Sequence, residues 1–225
     1  ADNNELLMKM NQNNGWSIAP TLINQAAESI LQQTRGKRHQ AVLFAFGFMP
    51  ALIGLGAKIG NKAQITPMLR FRDSGTWTWP LEQPRDSIIE INSDNSFDDV
   101  DNEVVISIAL TAKPKQFGEV IERLGLKHIE VTTSPGNVGN GCISHPDEGT
   151  QFMKRIHTLL HELYSEHKIK RIHLLPCASN AACVFLGKAI DNYHPEIIIY
   201  DFEGQSMVPR LHIKPDVDGN EVVSA

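Results

Sequence analysis

Two stretches of the chain run through the same order of elements, and this repeat restricts the fold more than any other feature. In the first, Leu22, Ile23, Ala26, Ala27, Ile30 and Leu31 recur at helical spacing from Pro20 onward, with Thr21, Asn24 and Glu28 elsewhere on the wheel. The continuous apolar run Ala41 to Gly47 follows, and its composition predicts a strand buried on both faces. Phe48-Met49-Pro50 then opens a short helix, Ala51 to Ile59, closed by Gly60-Asn61, and Ile65 to Phe71 reads as a second strand. In the second stretch, Phe152, Ile156, Leu159, Leu160 and Leu163 mark a long helix, Arg171 to Pro176 a strand, Ala181 to Ile190 a short helix and Glu196 to Phe202 a strand. Local sequence follows the same order. Leu55-Gly56 and Leu186-Gly187 sit in the two short helices, and each second strand ends in an acid, Asp73 or Asp201, followed by a glycine, Gly75 or Gly204.

The rest of the chain fits an α/β architecture. Strands are expected at Ile88 to Ile91, Val104 to Leu110, His128 to Thr133 and Val208 to Ile213, with a helix over Lys115 to Leu124 and a Gly/Pro/Asn-rich loop from Ser134 to Gly141. Strands alternating with helices argue for mainly parallel sheets, and the repeat argues for two similar units related by a pseudo-two-fold axis, the alternative being a chance likeness of two ordinary α/β units. The expected boundaries are a polar, Asn-rich tail over 1–15, a first half over about 16–110, a second half over about 111–214 and a tail over 215–225.

In open parallel sheets ligands sit beyond the carboxyl ends of the strands, where helix N-termini offer free N–H groups. The repeat supplies two such turns, Phe46-Gly47-Phe48-Met49-Pro50 and Pro176-Cys177-Ala178-Ser179-Asn180-Ala181, and duplication would place them near each other. Neither carries a phosphate-loop pattern or a dinucleotide fingerprint, which argues against a nucleotide kinase or nicotinamide dehydrogenase. The chain has 26 acidic and 21 basic side chains, so its net charge of −5 is unlike that of a general nucleic-acid binder. The charge is unevenly spread. No acid lies between Glu28 and Asp73 or between Glu166 and Asp191, while Arg35, Lys37, Arg38, Lys58, Lys62, Arg70 and Arg72 occupy the first interval and Lys168, Lys170, Arg171 and Lys188 the second. A positive cleft at the two turns, or lysines on ordinary solvated helix ends, would account for that pattern. Eight acids between Glu82 and Glu103 face one basic residue, Arg85, and read as solvated loops around a strand.

Trp77 and Trp79 occupy i and i+2 positions, which on a strand share a face. The two indoles would form a platform for bases, with Arg70 and Arg72 paired on the preceding strand for phosphates; the alternative is that the indoles cover the edge of the core.

The residues from His173 to Ala182, through Leu186-Gly187 to Pro195–Asp201, with the earlier Trp77-Thr78-Trp79-Pro80 segment, resemble SAVED domains, the sensor modules of bacterial CBASS antiphage effectors. The resemblance covers about Gly15 to Lys214 and implies two fused units of the CRISPR-associated Rossmann type. It further implies a receptor for a cyclic di- or oligonucleotide second messenger that lies across the two halves. In that family, binding drives head-to-tail assembly of identical copies, which switches on a fused N-terminal effector, often a DNA endonuclease of the HNH type or a TIR domain. No such effector is recognisable in these residues, so the chain is expected to be the sensor part of something longer, most like that of the HNH-SAVED nucleases, and to reach DNA only through that effector. The ligand-facing set is expected to comprise both turns, Arg70, Arg72, Trp77, Trp79, the loop start Ser134-Pro135, and Tyr200 and Asp201 at the end of the last repeat strand.

An enzyme reading stands beside it. Cys177 or Ser179 on a strand-to-helix turn, with His145 or His173 as base, would suit a hydrolase or a cyclic-nucleotide phosphodiesterase, although no nucleophile elbow is present. His157 and His161 have metal-ligand spacing but lack the zincin Glu, Thr158 standing in its place. No catalytic residue, metal or cofactor is therefore assigned. The three cysteines, Cys142, Cys177 and Cys183, read as reduced cytosolic thiols. No run approaches the ~20 apolar residues of a membrane span, and the expected location is the cytoplasm.

Overall fold

Alternate residues of the strand at 103–109 lie in two different cores, Val104, Ile106 and Ile108 on one side and Val105 and Ala109 on the other. That two-sided burial marks the centre of a sheet. The protein is described from a computed structural model, over residues 15–35, 41–71, 74–86, 88–93, 102–134 and 136–225. In chain order its elements are α1 (Gly15–Thr34), β1 (Ala41–Leu43), α2 (Met49–Ile59), β2 (Ile65–Pro67), β3 (Ile89–Ser93), β4 (Glu103–Ala109), α3 (Lys115–Leu124), β5 (His128–Thr133), α4 (Pro146–Ser165), β6 (Arg171–Cys177), α5 (Asn180–Lys188), β7 (Glu196–Glu203), β8 (Ser206–Asp216) and β9 (Gly219–Ser224).

A seven-stranded sheet has the order β3-β5-β4-β6-β7-β8-β9, and β1 and β2 form a separate parallel pair. The central strands β5, β4, β6 and β7 are parallel, whereas β3, β8 and β9 join antiparallel at the edges. The α/β class with Rossmann-like parallel strands is as expected. The main core lies between this sheet and α4 and α5, and Leu52 and Ile53 of α2 join it; α3 covers a smaller cluster on the opposite face, built on Phe117, Val120, Leu175 and Tyr200.

Several expectations need correction. Helix α1 begins at Gly15 rather than Pro20, which lies inside it and near its start. The run Ala41 to Gly47 is strand only as far as Leu43, and it is not buried on both faces, because Val42, Phe44 and Phe46 are 54%, 59% and 58% exposed. Its alternate residues face β2's partner core and solvent in turn, a period-2 pattern masked by the apolarity of both sets. The second strand stops at Pro67, beyond which the chain forms an irregular hairpin. The segment 215–225, expected as a tail, completes β8 and forms β9. The expected boundary near 110 assigns β4 to the first half, yet β4 pairs with β5 and β6 in the large sheet.

The two short helices of the repeat pack directly on each other. A Cβ on Gly56 would lie 2.9 Å from Cα of Gly187, and closer still to the carbonyl oxygen of Val184. A Cβ on Gly187 would lie 2.9 Å from Cα of Gly56, and closer still to the carbonyl oxygen of Ile53. Each glycine thus meets the carbonyl three residues before the other, so the contact is reciprocal. No side chain fits at either position. Lysines bracket the same junction: Lys188 donates to the carbonyl of Ala63 (3.0 Å) and Lys58 to that of Asn220 (3.0 Å).

Gly187→Ala is expected to destabilise the chain by about 1–3 kcal/mol or more in urea unfolding, as overpacking does. Gly118→Ala, on an exposed position of α3 with open space around its Cβ, should be neutral or stabilising. Equal effects of the two substitutions would refute the steric account.

Candidate functional site

Parallel pairing brings the carboxyl ends of β4, β6 and β5 to one edge. Leu110 and Thr111 both donate backbone N–H groups to the Cys177 carbonyl (3.0 Å each), and Gly139 donates to the Leu110 carbonyl (2.9 Å), folding the 134–141 loop back over that edge. Ser134 is half-buried at the start of this loop and accepts from Asn137 N (3.0 Å); Pro135 lies outside the described residues. Ala178 and Ser179 are buried, and the Ser179 hydroxyl accepts from Ala182 N (3.3 Å), capping α5.

The first repeat unit closes on this edge through two side-chain amides. Asn180 Nδ2 donates to the carbonyl of Ala45 (3.1 Å), linking the second strand-to-helix turn to the residue that precedes the first. Asn140 Nδ2 donates to the carbonyl of Arg70 (3.0 Å). In the first turn, Gly47 precedes Phe48, which caps α2 without a side-chain hydrogen bond and packs against Trp16 with ring centroids 5.6 Å apart; Met49 and buried Pro50 begin the helix.

Arg70 and Trp77 face each other across a short antiparallel bridge, closed by Phe71 N to Thr76 O and Thr78 N to Leu69 O (2.9 Å each), with Gly75 at φ +66° in the turn. The Arg70 guanidinium lies 4.8 Å from the Phe46 ring centre and 6.0 Å from that of Trp77. Phe44 meets Trp77 edge-on at 5.4 Å. The result is an open aromatic surface with a cation inside it. It differs from the platform expected from sequence: Trp79 packs against the main core instead, with its indole N–H buried and unpartnered among the described residues. Arg72 lies outside the described residues. Phe44 was missed because the run around it read as core; the alternation of Val42, Phe44 and Phe46 was the available signal.

Tyr200 and Asp201 take different places. Tyr200 is buried under α3, and its hydroxyl is hydrogen-bonded to His173 Nδ1 (2.9 Å), which engages it within the fold. Asp201 is buried at the carboxyl end of β7; burial pushes its carboxyl up to about 6, against the opposing effects of the Phe202 N–H (2.9 Å) and Arg210. Cys177 Sγ contacts the Thr111 hydroxyl (3.3 Å). Neither candidate base approaches it as a partner: His173 bonds Tyr200 and, through Nε2, Glu103 (2.9 Å), and His145 Nδ1 caps α4 by accepting from Asp147 N (3.1 Å). His157 Nε2 pairs with the Tyr193 hydroxyl (2.8 Å), and no group of three or more metal-ligating side chains occurs among the described residues.

The basic intervals divide unexpectedly. Arg70 stands at the edge just described, but Lys58, Lys62 and Lys188 lie at the C-terminal ends of α2 and α5, and Lys168, Lys170 and Arg171 at the start of β6. These belong to the opposite pole of the parallel strands. Lys37 and Arg38 lie outside the described residues.

One ion pair with no sequence signal fixes the loops around the edge. Glu148, in the first turn of α4, is fully buried and accepts from Arg85 Nε (2.8 Å), Arg85 Nη2 (2.9 Å), Arg85 N (2.9 Å) and Ser144 N (2.7 Å). Arg85 Nη2 also reaches the Cys142 carbonyl (2.8 Å), so the loop expected to be solvated is clamped to the 137–144 segment. Burial alone would raise the Glu148 carboxyl, but the hydrogen bonds from Arg85 and Ser144 outweigh it and hold it below its usual range.

The profile of the SAVED family, described as SMODS-associated and fused to various effectors sensor domain, matches residues 22–213. Among solved structures, the chain resembles the Acinetobacter baumannii Cap4 SAVED/CARF-domain containing receptor with the cyclic trinucleotide 2′3′3′-cAAA at a TM-score of 0.65 and 15% identity, over 90% of this chain and 44% of that one. The same receptor without a named ligand matches at 0.62 and 14%, over 92% of this chain and 44% of that one. The Moraxella osloensis Cap4 receptor matches at 0.53 and 16%, over 85% and 41%. The chain therefore spans less than half the length of these receptors. No curated protein matches it. Among the described residues no helix is long and apolar enough to cross a membrane.

Because the folded-state carboxyl of Glu148 titrates below its unfolded value, the stability it contributes is fully present above the unfolded value, near 4.5, and is lost as pH falls through the folded one. Glu148→Gln is expected to lower unfolding free energy by about 3–5 kcal/mol at pH 7, and the gap to wild type should narrow below pH ~4. A gap that stays constant with pH would remove the ion pair from the account.

Proposed function

We propose, from the premise that the chain belongs to the SAVED family of sensor domains, that it is the receptor part of a bacterial antiphage defence protein and binds a cyclic di- or oligonucleotide second messenger. The observation that carries the reading is the cluster of exposed Phe44 and Phe46 with half-buried Arg70 and Trp77, beside the contact that ties the start of α5 to the segment leading into α2. A cyclic oligonucleotide alternates flat bases with phosphodiesters. Exposed rings can stack on the bases, each stack contributing ~1–3 kcal/mol, while a guanidinium and helix N–H groups meet the phosphates. The likeness to a receptor named with a cyclic trinucleotide supports the same class of ligand and makes cyclic triadenylate the first probe.

In this reading the messenger lies across the Asn180–Ala45 junction and contacts both repeat units, which the reciprocal glycine contact supports as pseudo-symmetric halves. Head-to-tail oligomers form on binding and switch on an effector, a DNA endonuclease fused N-terminally, in the cytoplasm. Cys142, Cys177 and Cys183, free thiols in the fold, suit that compartment.

Calorimetry against a panel of cyclic di- and trinucleotides should find one sub-micromolar binder; no heat from any of them would end the proposal. Trp77→Ala and Arg70→Ala should each weaken that binder at least tenfold, about 1.4 kcal/mol, with unchanged thermal unfolding. Trp79→Ala, by contrast, should lower stability first. Because Asp201, at the carboxyl end of β7, ionises as pH rises through about 6, a polyanion bound beyond that end of the sheet should bind more weakly between pH 5 and 7, and Asp201→Asn should flatten that profile.

A further inference from the structure

The opposite pole of the parallel strands carries a cavity of about 800 Å³ between the C-terminal ends of α2 and α5, the middle of α4 and the β8–β9 turn. Its volume falls in the range of small-molecule sites. Met153, Phe185 and Ile190 supply apolar wall, and Lys62, Lys154 and Lys188 supply three ammonium groups. The single acid among the described lining residues is Asp191, whose carboxylate accepts from the backbone N–H of Asn192 (2.9 Å).

Helix C-termini attract lysines, which accounts for Lys62 and Lys188. It accounts for neither Lys154, on the third turn of α4, nor the unused donor capacity of Lys188. Lys188 is largely buried, and burial pushes its ammonium down; its described hydrogen bond is to one carbonyl, that of Ala63 (3.0 Å), which leaves donor capacity on an ion with three N–H groups. Asn220 closes the floor of the cavity, its Nδ2 donating to the Ile190 carbonyl (3.0 Å). An anion held by the lysines, on a molecule whose flat apolar part lies along half-buried Met153, would use the donor capacity left on Lys188.

We infer that this cavity is a second ligand site, separate from the aromatic edge, and that it takes a small organic phosphate of nucleotide size. Mononucleotides combine the anion with the flat apolar part.

The test is calorimetry of the 225-residue chain with ADP as probe and adenosine as its uncharged counterpart. ADP should bind in the micromolar range and adenosine at least tenfold more weakly. The double variant Lys62→Glu/Lys154→Glu, at exposed positions, should weaken ADP at least tenfold without changing thermal unfolding. Arg70→Ala should leave ADP binding unchanged whatever cyclic nucleotides do, so failure of one site is distinguishable from failure of the other. As a measurement free of substitutions, ADP should protect Lys188 from acetylation read by mass spectrometry. Absence of ADP binding up to millimolar concentration, equal affinity for adenosine, unchanged affinity in the double variant, loss in Arg70→Ala, or unprotected Lys188 would each overturn the inference.

Discussion

The contact between Gly56 and Gly187 sets the rest of the molecule. Two helices can approach with backbone on backbone only where neither carries a side chain, and here each glycine reaches the carbonyl of the residue three positions before the other. With α2 and α5 fixed in this way, the turns that precede them stand side by side, and Asn180 can reach the Ala45 carbonyl. The strands feeding those helices then deliver their carboxyl ends to one edge. At the other end of the same helices the chains diverge, and the lysine-lined cavity occupies the gap. One contact thus gives the protein two poles of different chemistry, one aromatic and exposed, the other basic and recessed.

Buried polar groups hold the surroundings of the aromatic edge. Glu148 would be costly to bury alone, yet four donors, three of them from Arg85, satisfy it. That carboxylate ties the 85 segment, the 142–144 loop and the start of α4 to one point. Across the sheet, His173 joins Tyr200 to Glu103, and Arg171 joins Glu103 to Glu196 (2.9 and 3.4 Å). Both ring nitrogens of His173 are engaged in this chain, while Ser179 and His145 each accept a backbone N–H at a helix start.

Some elements were plain in the sequence because one signal decided them. Helix α3 and strand β5 match their expected limits at Lys115–Leu124 and His128–Thr133, where amphipathic spacing and turn residues agree. Other segments misled for identifiable reasons. Ala41 to Gly47 is uniformly apolar, so its alternation between core and solvent carries no contrast in hydropathy. Strand β9 is short and follows a charged turn, and its place depends on β8, an interaction outside its own sequence. Trp77 and Trp79 share a spacing but part company because the backbone around them is hairpin rather than regular strand. The partnership of Arg85 with Glu148 spans 63 positions, beyond the reach of any local pattern.

The sequence by itself determined the α/β class, the repeated helix–strand–helix–strand order, the two strand-to-helix turns and the family resemblance, because periodicity and local motifs are written within each segment. Only the tertiary structure decided which side of the molecule each charge faces. The acid-free intervals are a property of the chain, but a lysine at the end of a helix and an arginine beyond the end of a strand point to opposite poles of the same sheet. That separation comes from the direction of the chain through the parallel strands, fixed where two glycines let the halves meet.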